Sequence, residues 1–326
     1  MRKFKNSRFF IVFLFFLGLV YFYDTDLYYE LKTSMLSNGQ IEVDKNNNNL
    51  EKSDETSEDD VVSLIKTDEL MSPLRVYFFD VGQADSTLIQ FDDEYMLIDA
   101  GNNEDGKGLV NYLKSLGVDK FKYVVGTHAH EDHIGGMDDV IESFEIDKFF
   151  MPDVITTTLT FEDVLDSLLE KEMYFDTPKI NDTFKLGDAV IEVIYVGDDE
   201  KDLNNTSIVI RVIYDNVSFL LTGDAETSAE NIILKSGTDI SSTVLKAGHH
   251  GSSTSSSNNF LKKVNPSFAV ISSGKGNSYG HPHDELINRL NKFNIKFYRT
   301  DELGTIIAST DGKDISFTNI STNIDG

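Results

Sequence analysis

The chain contains no cysteine and is poor in basic residues. Without cysteine there can be no disulfide framework, so any metal site must be built from histidine and carboxylate side chains. The 29 Lys and Arg residues are outnumbered by 55 Asp and Glu, which gives a formal net charge of −26. Each phosphate contact in nucleic-acid binding needs a lysine or arginine, so this balance argues against broad nonspecific affinity for nucleic acids. A local basic patch or bridging divalent ions would still permit a polyanionic substrate.

One apolar run at the N-terminus is long enough to suggest a membrane segment. Residues 9–23 are fifteen positions that are all apolar or aromatic apart from Gly18. Four basic residues precede the run: Arg2, Lys3, Lys5 and Arg8. A membrane span typically needs about 20 residues, although flanking Tyr and Lys side chains can reach the interfaces. We predict an uncleaved signal anchor at residues 1–23, hence a single-pass cell-membrane protein with the rest of the chain outside the cell. The alternative is a cleaved signal peptide and a secreted protein, although no small-x-small cleavage site follows the run.

The next segment, residues 24–72, has the composition of a disordered tether. It contains four consecutive asparagines and carries 13 acidic against 4 basic residues. Such a segment cannot bury enough apolar surface to offset its ordering entropy. We therefore predict an acidic, Asn-rich linker at 24–72 and a single folded domain at 73–326, which is large enough for one extensive core.

Strands and helices alternate along this domain. The hydrophobic period and the turn residues predict strands at 74–90, 95–99, 121–126, 148–151, 184–196, 207–214, 217–221, 244–246, 268–272 and 295–299, helices at 108–116, 137–144, 161–173, 226–235, 259–264 and 284–293, and a hairpin at 304–319 that turns at Asp311 and Gly312.

A dense cluster of imidazole and carboxylate groups follows the strand at 121–126. Residues 127–133 read T-H-A-H-E-D-H. Side chains at positions i and i+2 of an extended segment share a face, so His128 and His130 can bind one ion. Asp132 and His133 lie beyond the turn and can bind a second ion. Imidazole and carboxylate ligands without thiolate suit Zn, Mn or Fe, so the segment predicts a divalent metal site.

The pattern H-x-H-x-D-H resembles the metallo-β-lactamase superfamily, and five further segments extend the resemblance. They are similar to the branch of that superfamily that contains the extracellular domain of the ComEC competence (DNA-uptake) proteins: residues 79–85 (F-D-V-G-Q-A-D), 97–101 (L-I-D-A-G), 221–224 (L-T-G-D), 248–252 (G-H-H-G-S) and 277–282 (N-S-Y-G-H-P). Ala84 stands where that branch usually has glycine. The resemblance covers about residues 74–317 and implies an α/β fold, a four-layer αβ/βα sandwich with metal at its edge, here preceded by one N-terminal transmembrane helix.

The same resemblance implies two divalent ions, Zn or Mn, and a ligand set for them. His128 and His130 would bind the first ion, and Asp224 would bridge both. Asp132, His133 and one of the pair His249 and His250 would bind the second. We assign the ligand role to His249 and a catalytic role to His250, although the sequence leaves these two interchangeable.

The superfamily usually supplies a third histidine to the first ion, and this chain has none between His133 and His249. Residues 204–207 (N-N-T-S) occupy that region and resemble the branch's N-x-S segment. Four residues would support the ligands from behind: Asp80, Asp99, Asn205 and Ser252.

The chemistry implied by a bridged ion pair is hydrolysis. Bound water has its pKa lowered toward about 7, which gives hydroxide near neutral pH. Asp132 would orient this hydroxide, and His250 with His281 would donate a proton or a hydrogen bond to a phosphate oxygen. The backbone and hydroxyl groups of residues 251–253 would donate to an oxyanion.

The predicted metal site is compatible with two classes of function. The first is an outward-facing metal-dependent hydrolase acting on phosphodiesters, either a nuclease-like enzyme or one that cleaves wall-polymer phosphodiesters or phosphocholine esters. The second is a non-catalytic binding module that keeps the fold. The costly set of polar ligands favours the enzyme, and β-lactamase activity is a weaker third option.

Overall fold

The computed structural model describes residues 72–198 and 201–321. The signal anchor predicted at 1–23 and the tether predicted at 24–72 lie outside these residues, apart from Ser72 itself. Across the described ranges, no helix combines the length and the apolarity needed to cross a bilayer.

Two mixed β-sheets form the centre of the fold. The first has eight strands in the order β15-β14-β1-β2-β3-β4-β5-β6, and the second has seven in the order β13-β12-β11-β10-β9-β8-β7. The strands of the first sheet are β1 Leu74–Phe78, β2 Thr87–Phe91, β3 Glu94–Ile98, β4 Lys120–Val125, β5 Glu145–Phe150, β6 Phe175–Asp176, β14 Thr305–Thr310 and β15 Ile315–Ile320. The strands of the second sheet are β7 Thr183–Leu186, β8 Ala189–Tyr195, β9 Val209–Tyr214, β10 Val217–Leu221, β11 Val244–Lys246, β12 Phe268–Ile271 and β13 Lys296–Arg299.

Helices cover the outer faces of both sheets. They are α1 Gly106–Ser115, α2 Glu131–Ile134, α3 Met137–Ser143, α4 Leu159–Glu170, α5 Thr227–Ser236, α6 Asn258–Val264, α7 Asp284–Lys292 and α8 Thr300–Leu303, with 3₁₀ turns at Leu203–Thr206 and His249–Gly251. Each parallel strand pair is connected through such a helix, which is the usual way to join parallel strands.

Three apolar cores separate the four layers. One lies between the two sheets and includes Phe78, Val212 and Phe219. A second, around Tyr77 and Leu109, packs the first sheet against its helices, and a third packs the second sheet against α5, α6 and α7. Because neighbouring side chains of a strand point to opposite faces, β1 serves both cores through Tyr77 and Phe78. This arrangement is the predicted αβ/βα sandwich.

Two strands predicted from the sequence each correspond to two strands in the structure. The run at 74–90 is β1 and β2 with a loop at residues 79–86, and the run at 184–196 belongs to the β7–β8 hairpin. Gly82 and Gly187 adopt positive φ values of 65° and 54°, which turns the chain where hydrophobicity alone suggested continuity. The hairpin predicted at Asp311 and Gly312 is confirmed by the pairing of β14 with β15.

Polar loops follow the carboxyl ends of the parallel strands and lie at one edge of each sheet. β3 and β4 are parallel, as are β10, β11 and β12, so within each sheet these strands end on the same side. The loops that follow carry the residues singled out from the sequence, beginning with Asp99, His128, Asp224 and His249. Open α/β sheets usually bind ligands at such carboxyl ends.

We expect the core between the sheets to dominate stability. Phe219 is fully buried there, and Phe219→Ala should reduce the free energy of unfolding by about 3–5 kcal/mol through lost burial and a residual cavity. Leu159→Ala, at a side chain that is 77% exposed, is the control and should change it by less than about 0.5 kcal/mol. Urea unfolding followed by circular dichroism measures both, and equal midpoints for the two variants would contradict the assignment of this core.

Candidate metal centre

The side chain of Asp99 holds the histidine-rich loop at residues 127–133 in place. Its Oδ1 accepts a hydrogen bond from the Thr127 N–H at 2.8 Å, and its Oδ2 accepts one from Thr127 Oγ1 at 2.7 Å. Oδ2 also lies 2.8 Å from His133 Nδ1, so Nε2 of His133 is turned toward the centre of the site. Asp99 is buried and has a positive φ of 60°, a conformation rare for non-glycine residues and found disproportionately at functional sites.

Asp224 lies at the centre of the cluster, in the loop after β10. Its Oδ1 lies 3.2 Å from His133 Nε2, and its Oδ2 lies 4.0 Å from His128 Nε2. Oδ2 also lies 3.7 Å from His249 Nε2 and 3.6 Å from His250 Nε2. One carboxylate that is 1% exposed therefore faces four imidazoles contributed by two separate loops.

His250 connects this cluster to a buried ion pair. Its Nε2 lies 3.2 Å from Asp132 Oδ2, and its Nδ1 lies 3.7 Å from Asp85 Oδ1. The other oxygen of Asp85 accepts a hydrogen bond from Lys246 Nζ at 2.8 Å, and both of these side chains are almost fully buried. His250 therefore turns Nε2 toward the acids at the centre of the cluster, while Nδ1 lies on the side of Asp85 without a hydrogen bond to it.

The donor atoms fit a divalent metal ion. Four groups of three side chains place one donor atom each within 4.8 Å of one another: His128, His133 and Asp224; Asp132, His133 and His250; Asp85, Asp224 and His250; and Asp85, Asp99 and His133. Buried atoms at the centre have no hydrogen-bond partner among the described residues, among them His133 Nε2, His250 Nε2 and Asp224 Oδ1. Buried polar atoms are rarely left unpaired, so these atoms are arranged for a ligand that is not part of the chain.

The pKa shifts within the cluster also favour the binding of a cation. Burial alone would lower the pKa of His133, but the carboxylates of Asp224 and Asp99 outweigh burial and raise it well above its usual value. Burial would raise the pKa of Asp224, but His133 and His250 outweigh it and hold that pKa well below its usual range. Burial would also raise the pKa of Asp132, but the neighbouring imidazoles of His250 and His133 together outweigh it and lower that pKa. Carboxylates that attract protons to imidazoles in this way would attract a metal ion in their place.

His128 and His130 form the second half of the site. Their facing atoms, His128 Nε2 and His130 Nδ1, are 3.0 Å apart. Burial lowers the pKa of both rings, and for His128 the lowering is large, so both are neutral imidazoles and one of the facing nitrogens donates a hydrogen bond to the other. Asn204 lies on the wall of the adjoining cavity and its buried Oδ1 has no hydrogen-bond partner in the described chain. The amide nitrogen of Asn204 lies 3.5 Å from both Glu226 Oε1 and His249 Nδ1, and the amide oxygen is available in the same cavity.

The two adjacent histidines occupy different environments. His250 is buried and belongs to two of the donor groups, whereas the side chain of His249 is 25% exposed and belongs to none of them. His249 Nδ1 lies 2.9 Å from Glu226 Oε1. Both histidines have positive φ values, 49° and 51°, in the turn that presents their rings to Asp224. The ligand role predicted for His249 and the catalytic role predicted for His250 stay predictions, and the geometry favours His250 as the ligand.

Three of the four residues predicted to support the ligands lie further from the donors. Asp80 Oδ1 accepts the Gly82 N–H at 3.4 Å within its own loop. Asn205 Oδ1 accepts the N–H groups of Glu226 and Ala229 and so holds the start of α5. Ser252 Oγ lies 2.9 Å from Thr254 Oγ1. Asp99 contacts the proposed ligand His133 through its side chain.

The backbone groups predicted at residues 251–253 as oxyanion donors are engaged within the fold, while the hydroxyl part of that prediction stays a prediction. The Gly251 and Ser252 N–H groups donate to the carbonyls of Gly248 and His249, and the Ser253 N–H donates to His283 Nδ1. These donors close the turn that presents the histidines, so none is free for a substrate oxygen.

The donor cluster opens into a cavity of about 330 Å³. His281, predicted as catalytic, lines this cavity together with Gln83 and Tyr279. Burial and then the neighbouring His250 and His249 lower the pKa of His281 to about 4. A second cavity of about 470 Å³ shares part of the same wall and is lined by three further acids, Glu104, Asp105 and Glu131.

Four residues at the site were not identified from the sequence. Asp85 and Asn204 lie within segments that resemble the superfamily, but the predicted roles fell on their neighbours Asp80 and Asn205. No local pattern marks Lys246 or Glu226. Their roles depend on contacts between segments far apart in the chain, such as the 161-residue separation between Asp85 and Lys246.

The family model of the metallo-beta-lactamase superfamily matches residues 79–275. The chain belongs to this superfamily, as the motifs predicted.

Curated relatives carry names from bacterial competence. ComE operon protein 3 of Bacillus subtilis is 29% identical over 256 residues, which are 73% of this chain and 33% of the relative. Competence protein ComA of Neisseria gonorrhoeae is 31% identical over 236 residues, which are 71% of this chain and 31% of the relative. The chain thus spans about a third of the length of these relatives. Among solved structures, the metallo-beta-lactamase fold protein YhfI from Bacillus subtilis is 12% identical with a TM-score of 0.47, covering 70% of this chain and 96% of its own.

The buried pair of Lys246 and Asp85 gives a test of the site's electrostatics. Lys246→Met should destabilise the fold by about 3–5 kcal/mol, because it leaves a buried carboxylate without its partner. The double variant Asp85→Asn with Lys246→Met should recover most of that loss. Lys262→Met, at an exposed lysine on α6, is the control. Urea unfolding of chelator-treated protein measures all three, and additive effects of the two substitutions would argue against a coupled pair.

Proposed function

We propose that this protein is a metal-dependent hydrolase of phosphodiesters that works with two divalent ions, Zn or Mn. The observation that carries the proposal is the position of Asp224, whose carboxylate oxygens lie 3.2–4.0 Å from nitrogens of four imidazoles. A carboxylate with this set of neighbours can be shared between two ions, which is the arrangement used for in-line displacement at phosphorus.

The donor atoms divide naturally into two sets. His128 and His130 would hold the first ion, and the amide of Asn204 lines the same cavity as His130. Asp132, His133 and His250 would hold the second, and Asp224 would serve both. When bound, such ions polarise a phosphoryl oxygen and make a water molecule more acidic.

The protein's own groups would orient the reactants. Asp99 fixes the ring of His133 through its 2.8 Å contact with Nδ1, as carboxylates commonly do for metal-binding histidines. The side chain of Asp132 is 34% exposed and lines the cavity, so its carboxylate can accept a hydrogen bond from an attacking water. His128, His133, Asp224 and His250 are buried, whereas His130 is half-buried and also lines the cavity.

The substrate that we propose is a nucleic acid. Wall-polymer phosphodiesters and phosphocholine esters are the alternatives. The names of the two competence relatives support the first choice. Among the described residues that line the two cavities there is no lysine or arginine. Phosphate would therefore be attracted by the bound ions and not by basic side chains, which favours a single phosphodiester or a chain end over a long duplex.

We expect the detergent-solubilised full chain to hydrolyse bis(p-nitrophenyl) phosphate when loaded with Mn or Zn. Asp132→Ala should lower the rate by at least about 100-fold, because it removes a ligand and not only an outer partner of one. Glu142→Ala, at an exposed acid on α3, is the matched control and should leave the rate unchanged. Release of p-nitrophenol measures both rates. Absence of activity on phosphodiesters, phosphomonoesters and lactams would replace the enzyme with the binding-module alternative.

A substrate panel separates the remaining choices. Linear and circular single-stranded DNA of the same sequence should be compared with choline-bearing and glycerol-phosphate polymers, each with the wild type and Asp132→Ala. Faster cleavage of linear than of circular DNA is the expected result. Preference for either wall polymer would reject the nucleic-acid assignment while retaining the phosphodiesterase.

We also propose that the domain faces the cell exterior behind the N-terminal anchor. The support is the basic flank that precedes the apolar run at 9–23. Protease added to intact cells should cut the segment 24–72 and release the folded domain, which immunoblotting detects. A cytoplasmic marker protein serves as the control for lysis. Protection of the domain in intact cells, together with cleavage after lysis, would show the opposite orientation.

A further inference from the structure

Gln83 connects the loop after β1 to the loop after β12. It lines both cavities, although nothing in the proposed metal sites requires it. Its side-chain Oε1 accepts a hydrogen bond from the Gly274 N–H at 3.0 Å. The two loops are in close contact, since a Cβ at position 274 would lie 2.6 Å from the Gln83 backbone nitrogen. Gly274 is therefore the residue that permits this hydrogen bond.

The Gly274 contact fixes which end of the Gln83 amide faces His281. A backbone N–H can only donate, so the group it meets must be the amide oxygen. The amide nitrogen Nε2 is then the atom that lies 3.3 Å from His281 Nδ1. Because the amide NH₂ can only donate, His281 Nδ1 must accept and cannot carry a proton. The ring proton of His281 is thereby placed on Nε2.

The surroundings of His281 hold its ring in one orientation. The ring stacks on Tyr279, with centroids 5.7 Å apart, and lies nearly parallel to His250 at 6.3 Å. Asn277 ties down the backbone of His281 on both sides, accepting its N–H at 3.0 Å and donating to its carbonyl at 2.6 Å. No protein partner for His281 Nε2 is found among the described residues, and the ring lines the metal-side cavity.

We propose that Gln83 is a positioning residue that holds His281 as the neutral tautomer protonated on Nε2, so that His281 donates a hydrogen bond to a phosphoryl oxygen of the substrate. The substrate part of this proposal rests on the proposed phosphodiesterase function. A positively charged ring would carry protons on both nitrogens. The N–H on Nδ1 would then face the N–H of the Gln83 amide, which is unfavourable because both groups are donors. A neutral imidazole is too weak an acid to give up its remaining proton, so His281 binds the oxygen without transferring a proton to it. Neutral histidine serves as an electrophile in this way in other enzymes.

The tautomer is observable without any metal or substrate. We expect ¹⁵N spectra of the full chain, labelled at its seven histidines and treated with chelator, to show His281 protonated on Nε2 and not on Nδ1. The His281→Asn spectrum assigns the signals. A wild-type ring protonated on Nδ1, or on both nitrogens at neutral pH, overturns the proposal, and this result does not depend on any variant folding.

Two substitutions at Gln83 then test the cause. Gln83→Glu keeps the shape and the acceptor for Gly274 but turns the second polar atom into an acceptor, so the proton of His281 should appear on Nδ1. Gln83→Met has similar length and no polar group, so the two neutral tautomers should interconvert. Wild-type tautomer populations in both variants would show that something other than Gln83 sets the proton position.

Kinetics separates hydrogen bonding from proton donation. Loss of one donor to a developing negative oxygen typically lowers kcat by about 10²–10³-fold, and Gln83→Glu should approach that range. The loss should be the same for bis(p-nitrophenyl) phosphate and for diphenyl phosphate. A larger loss with the poorer phenyl leaving group would identify His281 as a proton donor and overturn the proposal. If the wild type cleaves neither compound, the proposed function fails, while the spectra still decide the tautomer.

Discussion

Buried negative charge is the constraint on which the architecture of this site depends. Asp85, Asp99 and Asp224 are 4%, 2% and 1% exposed, and isolated carboxylates in such places are strongly unfavourable. Lys246 neutralises the first, and the Thr127 donors with His133 satisfy the second. Asp224 has four imidazoles facing its oxygens and the carboxylate of Asp85 nearby, so its requirement for positive charge is met by a proton or by a metal ion. The loops after β3, β4, β10 and β11 converge on the cluster, and each contributes a carboxylate or imidazole group to it.

The parts of the site that were predictable from sequence are those coded within one short segment. His128 and His130 share a face because alternate residues of an extended chain do so, and His133 follows on the same loop. The resemblance to a known superfamily supplied the sandwich and the position of Asp224. Local pattern also placed most strands and helices within a few residues, since apolar period and turn residues act locally.

The rest of the site depends on tertiary contacts that no local pattern records. Asp80 and Asp85 are equally acidic and five residues apart, and only the path of the loop puts Asp85 beside Lys246. Similarly, Asn205 was expected at the site, but its amide is used to hold α5, while Asn204 faces the cavity. Continuous hydrophobicity across residues 74–90 hid the turn at Gly82, because apolar loop residues such as Phe79 and Val81 are themselves buried.

The donors of the metal centre come from different layers of the fold. The histidine-rich loop follows β4 in the first sheet, whereas Asp224 and His250 follow β10 and β11 in the second. An ion held by both groups would act as a cross-link between the two halves of the sandwich. Because an ion that binds only the native form adds to its stability in proportion to the logarithm of concentration over Kd, heat resistance would follow the supply of free cation. Metal starvation would then reduce the lifetime of the protein as well as its turnover.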